Sequence, residues 1–294
     1  MDDFYAPAAR KLLAWAENNP DVAGVVILGS QARRESPGDR WSDLDLLVFA
    51  DAPSRLIESD DWLCAFGRPV CITREKIPLD SMSAVWYVTR PLYDDFRALD
   101  ISIVASGRME EFLTVNAELH SHGYEVLYDR DRPALERKIL ESIRAAASPG
   151  LPEVKEADFR YLVSDLLYHV IWAFKKIKRG ELWTAVSCVN CYMKGNLLQL
   201  IEMHNAAGAR RATELMFDGR LLESRIDPRV RDTLRACFAR YDEADAADAL
   251  GGLMDAIELI ARDISASTGF GLDEGMFEDI RAMYGKMIGW RSNG

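Results

Sequence analysis

Cysteine is scarce and unorganised: five residues, an odd number without the spacing of a disulfide framework. That argues against a stapled secreted fold and for a reducing compartment, the cytoplasm. Cys188 and Cys191 have CxxC spacing, but they lie inside a helical pattern with no second pair. Buried thiols explain them better than zinc or redox chemistry. No apolar stretch approaches the length of a membrane span, and the acidic start Met1-Asp2-Asp3 is unlike a signal peptide. Basic residues are outnumbered, 36 Lys and Arg against 47 Asp and Glu, for a net charge of −11. A nucleic-acid partner calls for a basic footprint, so that class is disfavoured. An acidic surface serves solubility, and it also tolerates a small polycationic substrate. His120 and His122 stand before a strand pattern with no metal-ligand partners in view. Internal repeats and low-complexity segments are absent.

What is present is a pair of aspartates at the head of an apolar run, Asp43-Leu44-Asp45-Leu46-Leu47-Val48-Phe49. Alternation along a strand sends Asp43 and Asp45 to one face and Leu44 and Leu46 to the core. Two carboxylates a few ångströms apart repel by about 4 kcal/mol at 4 Å and an effective dielectric near 20. A hard divalent cation such as Mg²⁺ is the ordinary remedy. Upstream, residues 24–30 read Gly-Val-Val-Ile-Leu-Gly-Ser, a buried-strand pattern closed by Gly29 and Ser30. Small residues there let backbone N–H groups approach a phosphate, and the Ser30 hydroxyl is a further donor. Asp100 is a lone carboxylate among the aliphatic residues of a third strand pattern, unfavourable unless paired, hydrogen-bonded or metal-bound. If its strand lies beside that of Asp43 and Asp45, three acids converge in a way that suits two metal ions and a phosphate.

Chain length favours two domains. A helix is expected over 4–18, then strands at 23–29, 44–50, 69–73, 84–90, 97–104 and 124–128. A short helix closed by Gly67 and a longer one over 109–120 lie among them. From Pro133 onward only helical spacing remains, over 133–147, 156–179, 181–205, 228–241, 244–266 and 273–289. Ser148-Pro149-Gly150-Leu151-Pro152 is the clearest break. The expected fold is α+β, a mixed sheet with helices over residues 1–148 followed by an all-helical bundle over 149–294.

Gly29-Ser30, Asp43-x-Asp45 and a strand-borne Asp100 together resemble the GS…DxD…D signature of the nucleotidyltransferase superfamily. The stretches Asp60-Asp61-Trp62-Leu63, Phe96 to Val104, Tyr124 to Asp131, Phe159 to Lys175, Arg179-Gly180-Glu181, Asn196 to His204 and Asp273-Glu274-Gly275 narrow the match. They resemble, over nearly the whole chain, the bacterial aminoglycoside 6-adenylyltransferases (streptomycin adenylyltransferases). The resemblance implies an enzyme that transfers AMP from ATP-Mg²⁺ to an aminoglycoside hydroxyl and releases pyrophosphate. A nucleotidyltransferase acting on another small molecule or on a protein side chain, or a non-catalytic nucleotide sensor, are the rival expectations.

On that basis Asp43 and Asp45 are expected metal ligands, and Asp100 is a ligand, the general base or both. Gly29, Ser30, Arg33 and Lys175 are expected nucleotide contacts, with Arg34 a further cation near the phosphates. Lys175 has an alternative as one of several cations at a helix C-terminus. A cationic acceptor calls for acids and aromatics on the helical half. Asp165, Glu181, Trp172, Trp183 and Glu202 are the candidates, each also explicable as packing or as a helix-end charge. Gln31 stands where the family often has arginine, Ser187 where some relatives carry an acid, and no basic Gly-Lys segment is recognisable near Met216 to Arg220. These departures bear on the acceptor rather than on the catalytic centre.

Overall fold

Apolar runs of seven residues set the strands at the centre of the amino-terminal unit. The computed structural model describes residues 2–33, 37–79, 84–117, 123–146, 154–208, 219–220 and 222–289. The chain divides into two compact units, Met1–Ser148 and Pro149–Gly294.

The first unit opens with helix α1 (Ala6–Glu17) and strands β1 (Val22–Leu28) and β2 (Leu44–Ala50). Helix α2 (Pro53–Glu58), β3 (Pro69–Leu79), β4 (Ala84–Tyr93), β5 (Leu99–Ala105), α3 (Met109–Val115), β6 (Tyr124–Asp129) and α4 (Ala134–Ala145) follow. The six strands form one mixed sheet in the order β3-β4-β5-β2-β1-β6. Among the described residues only the β2–β5 pairing is parallel.

Both faces of this sheet are covered, so its central strands read as continuous apolar runs rather than as alternating ones. Leu44, Leu46 and Val48 pack with Leu12 and Ala16 of α1 and with Trp62, Leu63 and Phe66. On the opposite face Leu47 and Phe49 pack with Phe112 and Leu113 of α3 and Leu135 and Ile139 of α4. Full burial of one such Leu or Phe contributes about 1.5–3 kcal/mol. Asp45 shares the face of Leu47 and Phe49 and lies at its edge. The strand pattern thus extends further than expected at β3 and β4, and the helix expected over 109–120 ends at Val115; residues 118–122 lie outside the described part.

The second unit is helical. Its elements are α5 (Glu156–Lys178), α6 (Leu182–Ser187), a π turn (Cys188–Tyr192), α7 (Met193–Ala207), α8 (Leu222–Arg225), α9 (Pro228–Leu234), α10 (Glu243–Thr268) and α11 (Glu274–Gly289). The buried face of α10 (Leu250, Leu253, Ile257, Ile260, Ile264) packs with Leu166, Val170 and Phe174 of α5 and Leu197, Leu200 and Ile201 of α7. Asp242 caps α10 by accepting the N–H groups of Ala244 and Asp245, each at 2.9 Å.

Two expected helices are broken. The segment 181–205 contains the π turn, and the segment expected over 228–241 leaves α-geometry after Leu234 and becomes extended at Phe238. One side chain links both breaks. Asn190, in the π turn, accepts the Ala239 N–H at 2.9 Å and donates to the Ala239 carbonyl at 2.7 Å. The extended backbone is thereby satisfied without a helix. Of the CxxC pair Cys188 is buried, as expected, but Cys191 is exposed, and both are free thiols. Among the described residues no helix is long and apolar enough to cross a membrane.

Candidate active site

β1 ends at Leu28, whose antiparallel partner in β2 is Asp45. The chain then turns through a single 3₁₀ turn, residues Gly29–Gln31, with Gly29 at φ 64°. Gly29 is required twice over, because that backbone disfavours a side chain and a Cβ would stand 2.5 Å from Oδ2 of Asp45. The Gly29 carbonyl accepts the N–H groups of Ala32 and Arg33, both at 3.1 Å, and the Ser30 carbonyl accepts that of Gly38 at 2.6 Å. Gln31 is fully buried and clamps two segments onto this turn. Its Nε2 donates to the Asp39 carbonyl and its Oε1 accepts the Asp2 N–H, each at 2.9 Å. The departure from the family pattern at this position is therefore a structural amide.

Asp39 shapes the approach to β2 by accepting the N–H groups of Trp41 at 2.9 Å and Ser42 at 3.1 Å. Asp43 is exposed and precedes the strand. Asp45 and Asp100 are direct register partners in the parallel β2–β5 pair, so both side chains leave the same face. Asp100 accepts a hydrogen bond at Oδ2 from Nε of Arg90, at 2.7 Å, and Arg90 in turn donates from Nη1 to Glu75 at 2.7 Å. Strand adjacency has brought two of the three expected acids together. Asp43 stands one residue ahead of β2, and among the described residues no three His, Cys, Asp or Glu side chains form a ready metal cage. The donor chemistry of the Asp45–Asp100 pair nonetheless fits a hard divalent cation, and the missing Cβ at Gly29 lets the Asp45 carboxylate lie against the turn.

Arg33 is half-buried, its stem beside Gly123 just ahead of β6; Arg34 lies outside the described residues. The remaining candidates belong to the helical unit. Lys175 is exposed and lines a cavity of about 580 Å³ with Lys178, Arg179 and Lys286 above Ile171 and Met283. Asp165 is held by a preformed set of donors, Tyr192 Oη at 3.0 Å and Asn196 Nδ2 at 2.8 Å, with His169 Nδ1 at 3.4 Å. The Tyr192 ring lies 4.5 Å from that of His169, and Trp172 is 5.8 Å from it. Glu181 is engaged by Lys176 Nζ at 2.6 Å and by Arg179, and the Lys176 hydrogen bond first of all holds its carboxyl below the usual range. Trp172 is half-buried beneath Lys176 Nζ, 5.1 Å from the ring centroid. Trp183 is 74% exposed, with Tyr241 at 6.5 Å. Glu202 is exposed on α7.

An arginine partner for Asp100 is among the readings open to the sequence, and Gln31 and Asn196 stand in stretches it singles out. Glu75, Tyr192, the identity of that arginine as Arg90 and the contacts of Gln31 and Asn196 were not anticipated. A signal existed for Arg90: in the β4–β5 hairpin paired numbers sum to 190, as in Thr89 with Ile101, which sets Arg90 opposite Asp100. Tyr192 and Asn196 carry none, because they reach Asp165 through helix packing.

A family model described as Streptomycin adenylyltransferase matches residues 7–287. The aminoglycoside 6-adenylyltransferase of Bacillus subtilis (strain 168) is 23% identical over 199 residues, 66% of this chain and 66% of the relative's length. Among solved structures, the crystal structure of an aminoglycoside 6-adenyltransferase from Bacillus subtilis matches 95% of this chain and 96% of its own, at 15% identity and a TM-score of 0.45.

Proposed function

We propose that this chain, which belongs to the streptomycin adenylyltransferase family, transfers AMP from ATP to a hydroxyl of a streptomycin-like aminoglycoside. The single observation that supports this most is the in-register pair Asp45 and Asp100 beside the Gly29 turn. In the reaction the acceptor oxygen bonds to the α-phosphorus and the α–β anhydride bond breaks, its electron pair leaving with pyrophosphate. The hydroxyl proton passes to Asp100. With Oδ2 committed to Arg90, Oδ1 is the oxygen that takes it.

Asp43, Asp45 and Asp100 would hold magnesium, two ions in the fullest case, which when bound neutralises the triphosphate and polarises the α-phosphate. The Gly29 turn admits the phosphates, the Ser30 hydroxyl donates to a phosphate oxygen, and Arg33 supplies positive charge. Charge neutralisation at the phosphate is the larger effect and general-base help the smaller, about 10²–10⁴-fold.

For the cationic acceptor Asp165 is the anchor, since Tyr192 and Asn196 fix its carboxylate in place. Trp172, in ring contact with the His169 that neighbours Asp165, and the exposed Trp183 are the aromatic candidates. Glu181 contributes less, because Lys176 and Arg179 already meet its charge. Residues 1–148 are thus assigned to nucleotidyl transfer and 149–294 to acceptor binding, in a cytoplasmic enzyme. Pyrophosphate release from ATP, Mg²⁺ and streptomycin tests the proposal. Release is expected from the wild-type protein and not from Asp45→Asn; ATP binding without release on any aminoglycoside would favour a sensor instead.

A further inference from the structure

Arg90 has no part in the roles assigned so far, yet it makes the closest defined contact to the proposed base. It stands on β4, and the antiparallel register of β4 with β5 (Val88 with Ser102, Thr89 with Ile101) continues to set it opposite Asp100. The guanidinium forks: Nε donates to Asp100 Oδ2 and Nη1 to Glu75 Oε2, each at 2.7 Å. Glu75, on β3, is 54% exposed, whereas Asp100 is 32% exposed. Across the sheet the charges therefore run Glu75, Arg90, Asp100, Asp45, with one cation spaced into a row of three carboxylates.

Tied at Nη1 to Glu75, the planar guanidinium presents Nε to Asp100 from a fixed direction, which a single ammonium point charge does not. It also competes for Asp100 with any cation held between Asp100 and Asp45, because like charges a few ångströms apart repel. The two effects have opposite signs on metal affinity and on turnover, and that opposition makes the role testable.

We propose that Arg90 is the positioning residue of the site: anchored by Glu75, it aims the Asp100 carboxylate and weakens divalent-cation binding in exchange for that orientation. The proposal rests on Asp45 and Asp100 forming the nucleotidyl-transfer centre. Arg90 is 41% exposed, so replacement there leaves no cavity in the core.

The experiment measures Mn²⁺ binding to the protein without nucleotide, by electron paramagnetic resonance of the free ion, alongside steady-state kinetics with ATP and streptomycin. Arg90→Gln should bind Mn²⁺ about three- to tenfold more tightly, because a positive charge near the site is gone. Its kcat should fall about 10- to 100-fold, the usual cost of losing a partner that orients a ligand, with KM for ATP within about threefold. Arg90→Lys keeps the charge without the fork, so Mn²⁺ affinity should stay within about twofold of wild type while kcat still falls about tenfold. Unchanged or weakened Mn²⁺ binding in Arg90→Gln, or full kcat in Arg90→Lys, would overturn the proposal. Failure of the parent proposal shows elsewhere, in a wild-type protein whose Mn²⁺ binding is absent or indifferent to Asp45→Asn, and that result ends both.

Discussion

Gly29 and Asp45 meet so closely that a single added carbon would not fit: a Cβ on Gly29 would lie 2.5 Å from Oδ2 of Asp45. The same residue has φ 64°, where L side chains are strained by about 1–2 kcal/mol. Gly29→Ala therefore either displaces Asp45 or unwinds the turn that ends β1. The expected outcome is loss of at least about 100-fold in kcat with a modest fall in thermal midpoint, since the strain is small beside a domain's stability. Kinetics and differential scanning fluorimetry on one preparation check it. A variant with near-normal turnover would mean that this turn does not border the reacting groups.

Asp45 and Asp100 share a register position on one face of the sheet, and their mutual repulsion is a cost the fold bears. A ligand that binds only the folded state stabilises it, by about 2.7 kcal/mol at a hundred times its dissociation constant. Mg²⁺ should accordingly raise the melting temperature of the wild-type protein, and Asp45→Asn should lose most of that response. Melting curves in EDTA and in graded Mg²⁺ decide the matter. An equal response in both proteins would place the cation elsewhere.

Much of the amino-terminal unit was legible in the sequence because its strands are apolar runs with turn residues between them; all six begin within two residues of where the patterning set them, though β3 and β4 run on past their expected ends. That β2 and β5 lie side by side was expected only conditionally, since nothing local fixes which strands become neighbours, and their parallel sense was not foreseen. Adjacency, once present, aligned Asp45 with Asp100. Asp43 stands one residue ahead of β2, outside the residues that the strand register pairs. In the helical unit apolar spacing located the segments but not their ends. The break at Phe238 depends on the bonds between Asn190 and Ala239, 49 residues apart in the chain, and a helical periodicity carries no trace of such a bond. Glu181 illustrates the remaining gap: its composition suited a cationic ligand, but the cations it meets are Lys176 and Arg179 from the same turn of chain.

That contrast separates two carboxylates experimentally. Asp165 accepts from Tyr192 and Asn196, and the nearby His169 Nδ1 lies closer to the Asp165 carbonyl, at 2.8 Å, than to its carboxylate, at 3.4 Å. With no Lys or Arg ion pair to it among the described residues, its charge is proposed to meet a polycationic acceptor. Asp165→Asn should raise KM for streptomycin about tenfold or more while KM for ATP changes less than about threefold. Glu181→Gln should move KM for streptomycin by less than about threefold, because the charge it removes is already neutralised locally. Comparable effects from both variants would indicate that acceptor recognition follows overall charge rather than one preorganised group.

The π turn makes a stability prediction of its own. Lys194 lies largely buried, its Nζ donating to the carbonyls of Val189 at 3.1 Å and Cys237 at 2.6 Å. Burial lowers its ammonium from an ordinary 10.5 to about 8, and burial likewise pushes the thiols of Cys188 and Cys237 from 9.0 to about 11. Between pH 8 and 9 the unfolded chain holds a proton on Lys194 that the folded chain has released, so stability rises with pH, by about 1.4 kcal/mol per unit at most. Above pH 9 the unfolded cysteines lose protons that the folded ones retain, two against one, and stability falls. Urea unfolding followed by circular dichroism should therefore show a midpoint that peaks near pH 9. Lys194→Met should lack the rise from pH 8 to 9 and keep the decline above it. A wild-type midpoint that falls steadily from pH 7.5 would show that Lys194 stays solvated, and that the two carbonyls do not depend on it.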